Sequence, residues 1–372
     1  MNRKKNFIPA IALSLSLLVV ACNKDDKADD DNGFDRTIML RNYAENLVIP
    51  AFKDLQTTII ELQQAAHNFI NEVNLNKLEL LQQKWVDCYQ AFQYTNAYNF
   101  GPAGEQGLNR SITEEIATFP VSENKVDQIL NGASYSFSDF NRDARGLLTV
   151  EYLIYGKISQ SNTDVIQAFA ENANRRTYLL ECIANAKTRV DNVVNAWSPA
   201  YINQFVSNSG TAAGSSTSQF YNEFVKSYET IKNFKIELPM GLRPGQMQPE
   251  PRLVEAYYSG KTLDMIKAHL GAIENIYHGR TKTGVDGVGF KEYLENVING
   301  KQLVTSTLQQ LETINTTLNA IPTNSPVSEQ IISSPAPLEA FRVELQRQTR
   351  FFKSDMSSLL GIAITYSSGD GD

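Results

Sequence analysis

Apolar side chains recur at three- and four-residue steps along nearly all of this chain, a period that fits helices and excludes most other structure. Leu78, Leu81, Trp85, Cys88, Tyr89 and Phe92 share one face over residues 76–99. Leu179, Cys182, Ile183, Ala186, Val190, Val193 and Trp197 do so over 175–197. Further stripes are Phe220, Phe224, Tyr228 and Ile231, then Leu303, Leu311, Ile314 and Leu318, and finally Leu338, Phe341, Leu345, Phe352, Met356 and Leu359. No convincing period-two strand appears, so the expected class is all-α. Ser138, Thr163 and Ser218 are read as N-caps, and Gly132, Gly156 and Gly279 as helix stops. Pro50 should kink or break the pattern that runs from residue 35 to 70. Residues 207–218 read as a mobile surface excursion, 235–251 as irregular and 320–337 as a connector. Gly284, Gly287 and Gly289 precede no lysine and read as a helix–helix turn.

The first residues form an address. Arg3, Lys4 and Lys5 precede an apolar run, Ile11 to Val20, that is too short to span a bilayer comfortably, so residues 1–21 read as a signal peptide. Leu18-Val19-Val20-Ala21-Cys22 resembles the bacterial lipobox, which makes Cys22 the expected lipidation site and the membrane an expected partner through it. Residues 22–33 hold seven charged side chains and no large apolar one, and read as an acidic tether. Lys24-Asp25-Asp26 resembles the export signal of surface lipoproteins; the alternative is a solvated spacer facing the periplasm. The expected location is therefore the outer membrane, on its periplasmic or cell-surface face. Cleavage would remove three basic residues and no acidic ones, taking the formal net charge from −7 to −10. Such a balance argues against nucleic acid as a partner. HExxH, GxSxG, CxxC and GxxxxGK[ST] are all absent.

Residues 34–200 and 201–372 are expected to form two helical bundles, with an approximate boundary and some interleaving. Leu147–Lys157 aligns with Leu270–Arg280 through shared leucine, glutamate and glycine, which suggests an internal duplication related by a pseudo-twofold axis. Each copy carries an i,i+4 pair, Glu151 with Tyr155 and Glu274 with His278. One reading gathers both pairs with Asp143, Arg145, Gly146 and Arg243 in a polar inter-domain cleft that binds a ligand. The other has Glu151 paired with Arg145 or a backbone amide, fixing the packing alone. Trp85 and Tyr89 read as core. Cys88 and Cys182 sit on apolar stripes, and whether they pair stays open.

Asp143-Ala144-Arg145-Gly146-Leu147-Leu148-Thr149-Val150-Glu151-Tyr152-Leu153-Ile154-Tyr155-Gly156 resembles the signature helix of the imelysin-like proteins, which carry GxHxxE or an RGLPALEYLLFG variant there. Asn99-Phe100-Gly101-Pro102 is similar to the family's Phe-Gly-Pro turn, and Glu237–Arg243 to its central loop. Ile273 to Gly279 with Gly289–Leu294 resembles its second-half signature, and the matches run in order from Asp35 to Leu360. The resemblance implies two helical bundles with a site between them and a periplasmic or surface role in iron or haem acquisition. The family's founding members were described as insulin-cleaving metallopeptidases. Here Leu148 stands where the motif carries histidine, leaving Glu151 as the one metal ligand of that helix. None of His67, His269 or His278 restores the HxxE spacing. A catalytic zinc needs three protein ligands, so zinc and hydrolysis are not expected. The leading expectation is a non-enzymatic protein that binds iron, haem, an iron-uptake receptor or another envelope protein. A metallopeptidase and an interaction scaffold with a decayed site are the alternatives.

Overall fold

The helical stripes turn inward as their spacing requires. The computed structural model describes residues 33–104, 111–138 and 140–366, which contain helices and no strand. The signal segment and Cys22 lie outside the described residues, as does the tether except for Gly33. No helix of the described residues is long and apolar enough to cross a membrane.

Helix α1 (Arg36–Asn42) starts where the Asp35 carboxylate accepts the Thr37 amide at 2.9 Å. A π-helical segment, Tyr43–Val48, carries it into α2 (Ile49–Asn71) without a break. Pro50 therefore does not end the helix. It occupies the first turn of α2, and the wider turn before it absorbs the hydrogen bond that proline cannot donate. Helix α3 (Leu75–Gln93) follows, then the short α4 (Ile112–Ile116) and α5 (Glu123–Leu130). Helix α6 (Gly146–Tyr155) buries every residue up to Ile154, so it packs on all sides, against α3, α7 (Asn162–Glu171) and α8 (Ala173–Ala196). Trp85 on α3 is fully buried and donates its indole N–H to the Leu147 carbonyl at 2.6 Å. Cys88 and Cys182 are free and buried on their stripes, where burial pushes both thiols well above the usual range.

After α9 (Pro199–Ser207) comes α10 (Ser216–Thr230), which runs through another π segment, Ile231–Glu237. It packs with α11 (Thr262–His278), and α11 with α12 (Phe290–Glu295). Helix α13 (Gly300–Asn319) lies along α15 (Ala336–Arg350), with α14 (Val327–Ser333) between them in sequence. A third π segment, Phe351–Met356, leads to α16 (Ser357–Leu360). The first helix crosses to these later elements: Tyr43 donates its hydroxyl hydrogen to the Ile276 carbonyl and accepts the Phe290 amide at 2.7 Å.

Local punctuation differs from expectation in several places. The N-caps are Ser161 and Ser215, not Thr163 and Ser218, and Ser138 caps no helix. The segment before α10 runs over the surface, with residues 212–214 exposed, and Arg36 donates to the Ser209 carbonyl within it. Irregular structure begins after Glu237 rather than at Lys235, and the connector 320–337 contains α14. The glycine stops hold, Gly279 ending α11 in a left-handed conformation. A Cβ there would lie 2.5 Å from the Gly289 amide nitrogen, so the 280–289 turn closes only around glycine.

Candidate functional site

Of the expected site residues, Glu151 alone lines a partly open cavity beside α6. The cavity measures about 250 Å³ and is bounded by α6, by Phe119–Val121 and by the segment from Glu250 to Tyr258. Leu148 and Glu151, one turn apart on α6, both face it, so the two positions that carry the family's histidine and glutamate point into the same space. Glu151 is 1% exposed and accepts the Ser259 amide at 2.8 Å. Of the two structural pairings considered for Glu151, the backbone amide is the one formed. Burial, with the Glu255 charge adding to it, pushes the Glu151 carboxyl up to about 8, so it is mostly protonated at neutral pH.

Behind the cavity lies a polar row that the sequence did not announce. The π segment after α10 turns Lys235 inward, where its ammonium sits 2.7 Å from Glu255 with both side chains almost wholly buried. Tyr89 donates to the same carboxylate at 2.7 Å, and Lys235 donates to Gln93 at 2.6 Å. Ala256 adopts φ +56, a left-handed conformation unusual for alanine, between Glu255, which faces inward, and Tyr257 and Tyr258, which line the cavity. His269 is fully buried and bonds through Nε2 to Ser227 at 2.7 Å, and burial together with Lys235 keeps it neutral. A smaller cavity of about 120 Å³ reaches Lys235, Glu255 and Ser227, with Phe119 lining both spaces. At the mouth of the larger cavity, Glu123 accepts from Arg252 at 2.6 Å and from the Tyr258 hydroxyl at 3.0 Å.

The other expected residues disperse. Asp143 pairs with Lys125 near the surface, and Arg145 pairs with Glu115 in a buried bridge, not with Glu151. Gly146 has φ +81, and a Cβ there would lie 2.4 Å from the Ile116 carbonyl oxygen. Gly146→Ala is expected to cost about 2–3 kcal/mol in urea unfolding, from left-handed strain plus that clash. Tyr155 donates to the Gln82 carbonyl at 3.3 Å and meets Trp85 edge-on. Arg243 pairs with Glu237, Glu274 accepts from Asn315, and His278 is half-buried with its basicity lowered by burial and by Arg280. Neither Glu274 nor His278 lines the Glu151 cavity.

The donor set does not suit a metal centre. With Leu148 in the wall, α6 offers only Glu151, and among the described residues no three His, Cys, Asp or Glu side chains converge to hold an ion. A space of about 250 Å³ falls below the roughly 300–1,000 Å³ that encloses drug-sized ligands. The chemistry on offer is a protonated carboxyl, two tyrosines and an arginine at the rim, suited to a small oxygen-rich ligand or an inserted side chain.

The family model described as imelysin, peptidase M75, matches residues 48–349. A curated relative, Iron-regulated protein A of Synechococcus elongatus, is 21% identical over 267 residues, covering 69% of this chain and 68% of its own. Two solved structures share the fold. One is a putative iron-regulated protein A precursor from Parabacteroides distasonis, with TM-score 0.70 and 15% identity, covering 87% of this chain and 95% of that one. The other is an imelysin-like protein from Psychrobacter arcticum, with TM-score 0.69 and 18% identity, covering 89% of this chain and 97% of that one.

Proposed function

The chain belongs to the imelysin family, and from that premise we propose that it is a non-enzymatic, lipid-anchored component of iron uptake. On this reading Cys22 holds it to the outer membrane, and the Glu151 cavity binds a small oxygen-rich ligand or a side chain of an envelope partner such as an iron-uptake receptor. The observation that carries the reading is Leu148 in the cavity wall beside Glu151, which leaves a binding space without the ligands of a metallopeptidase. The iron-regulated relative supports the pathway.

Leu148→His tests the missing-ligand argument directly. A histidine one turn before Glu151 restores an i,i+3 pair that can share a metal ion. The variant is expected to gain a thermal shift of several degrees with Zn²⁺ that the parent lacks, and that Leu148→His with Glu151→Gln loses again. A comparable shift in the parent, or insulin cleavage by the parent that Glu151→Gln abolishes, would overturn the non-enzymatic reading. Transcript levels under iron limitation test the pathway, with a several-fold rise expected.

A further inference from the structure

A larger cavity of about 500 Å³ shares no lining residue with the Glu151 space. It opens where the start of α2, the turn after α3, the middle of α11 and the loop after Gly279 meet. Its walls are largely apolar and partly flat: Pro50 and Ala51 come from α2, Ala272 from α11, and Tyr94 and Tyr98 follow α3.

Two features of this cavity point to a ligand with an acid group. Tyr98 lines the cavity and is 4% exposed, and burial keeps its hydroxyl un-ionised, so it stands there as a hydrogen-bond donor. At the rim, Lys282 is already neutralised by Asp54 at 2.6 Å and lies 4.6 Å over the Tyr94 ring. Arg280 donates through Nε to the amide oxygen of Asn275 at 3.2 Å and forms no ion pair among the described residues, the Glu274 carboxylate acting on it only at longer range. Its remaining guanidinium N–H groups suit a carboxylate better than any neutral group.

We propose that this cavity is a second binding site, for a small planar aryl carboxylate. The aromatic body packs among Pro50, Ala51 and the tyrosine rings, and the carboxylate accepts from Arg280 and Tyr98. The volume lies within the range of pockets that enclose small organic ligands, and flat aromatic walls favour a flat guest.

Titrating the full chain with 2-naphthoate by calorimetry tests this, with 2-naphthamide as the neutral analogue of the same shape. Saturable binding of the acid is expected, with the amide at least tenfold weaker. Arg280→Gln should weaken the acid about tenfold and Tyr98→Phe about threefold. Ala51→Trp, at a half-buried position, should fill the space and remove binding with the melting temperature retained. Glu151→Gln should leave the affinity unchanged, which separates this site from the first. Equal affinity for acid and amide, binding that survives Ala51→Trp, or no saturable binding would overturn the proposal.

Discussion

Lys235→Met is expected to destabilise the fold by about 3–5 kcal/mol, because it strands the Glu255 carboxylate in the interior. Lys235 is 1% exposed and Glu255 is 2% exposed, and among the described residues the 2.7 Å ion pair is the only charge compensation that carboxylate has. Tyr89 and Gln93 still donate to it in the variant, but two neutral donors do not replace an ammonium ion at low dielectric. The double variant Lys235→Met with Glu255→Leu removes the orphaned charge and should recover most of the loss, since apolar substitutes for a buried pair are often neutral or better. Urea midpoints of the parent, single and double variants at pH 7 form the test. A single-variant cost below about 1 kcal/mol would mean that water reaches Glu255 and that the polar row is not dry. The same pair anchors the segment that carries Tyr257 and Tyr258, so the single variant should also loosen the Glu151 cavity.

Lys235 shows how far the sequence could be read. Phe220, Phe224, Tyr228 and Ile231 form an inward stripe, and the next four-residue step lands on Lys235, so the helical period already placed this lysine inside. Pro239 and Gly241 close behind it argued for irregular structure instead. The π turn extends the helix to Glu237, and its wider register depends on tertiary packing that no local pattern encodes. Glu255, Tyr257 and Tyr258 had no period to betray them, because they lie in a segment with little regular structure, and Tyr89 and Glu123, which bond Glu255 and Tyr258, are over a hundred residues away. The signature around Glu151 was legible as a motif and its departure at Leu148 as a gap. The expectation that Asp143, Arg145, Arg243, Glu274 and His278 would gather around Glu151 rested on charge and on the repeat. Asp143, Arg145, Arg243 and Glu274 each have a nearer counter-ion or amide: Lys125, Glu115, Glu237 and Asn315. Local pairing satisfies an ionised group at less desolvation cost than a shared interior cleft does.

Glu151→Gln should flatten the pH dependence of stability. A glutamate ionises near 4.5 in the unfolded chain, whereas burial holds the folded Glu151 up to about 8. Between those values the folded state keeps a proton that the unfolded state has released, so unfolding releases a proton and stability falls as pH rises. The fall begins near pH 4.5, reaches at most about 1.4 kcal/mol per pH unit, and levels off above about pH 8, with a total on the order of 5 kcal/mol. Glutamine keeps the size and can accept the Ser259 amide, yet it has no proton to lose. The variant should therefore match the parent near pH 5 and exceed it by several kcal/mol at pH 9. Glu274 is also raised by burial and slopes the same way, while neutral His269 opposes folding only below its ordinary range, near 6.5. Both contributions remain in the variant, so the difference between the two curves isolates Glu151. Parallel curves from pH 5 to 9 would show that Glu151 ionises normally, and the protonated donor at the centre of the proposed binding site would then be lost.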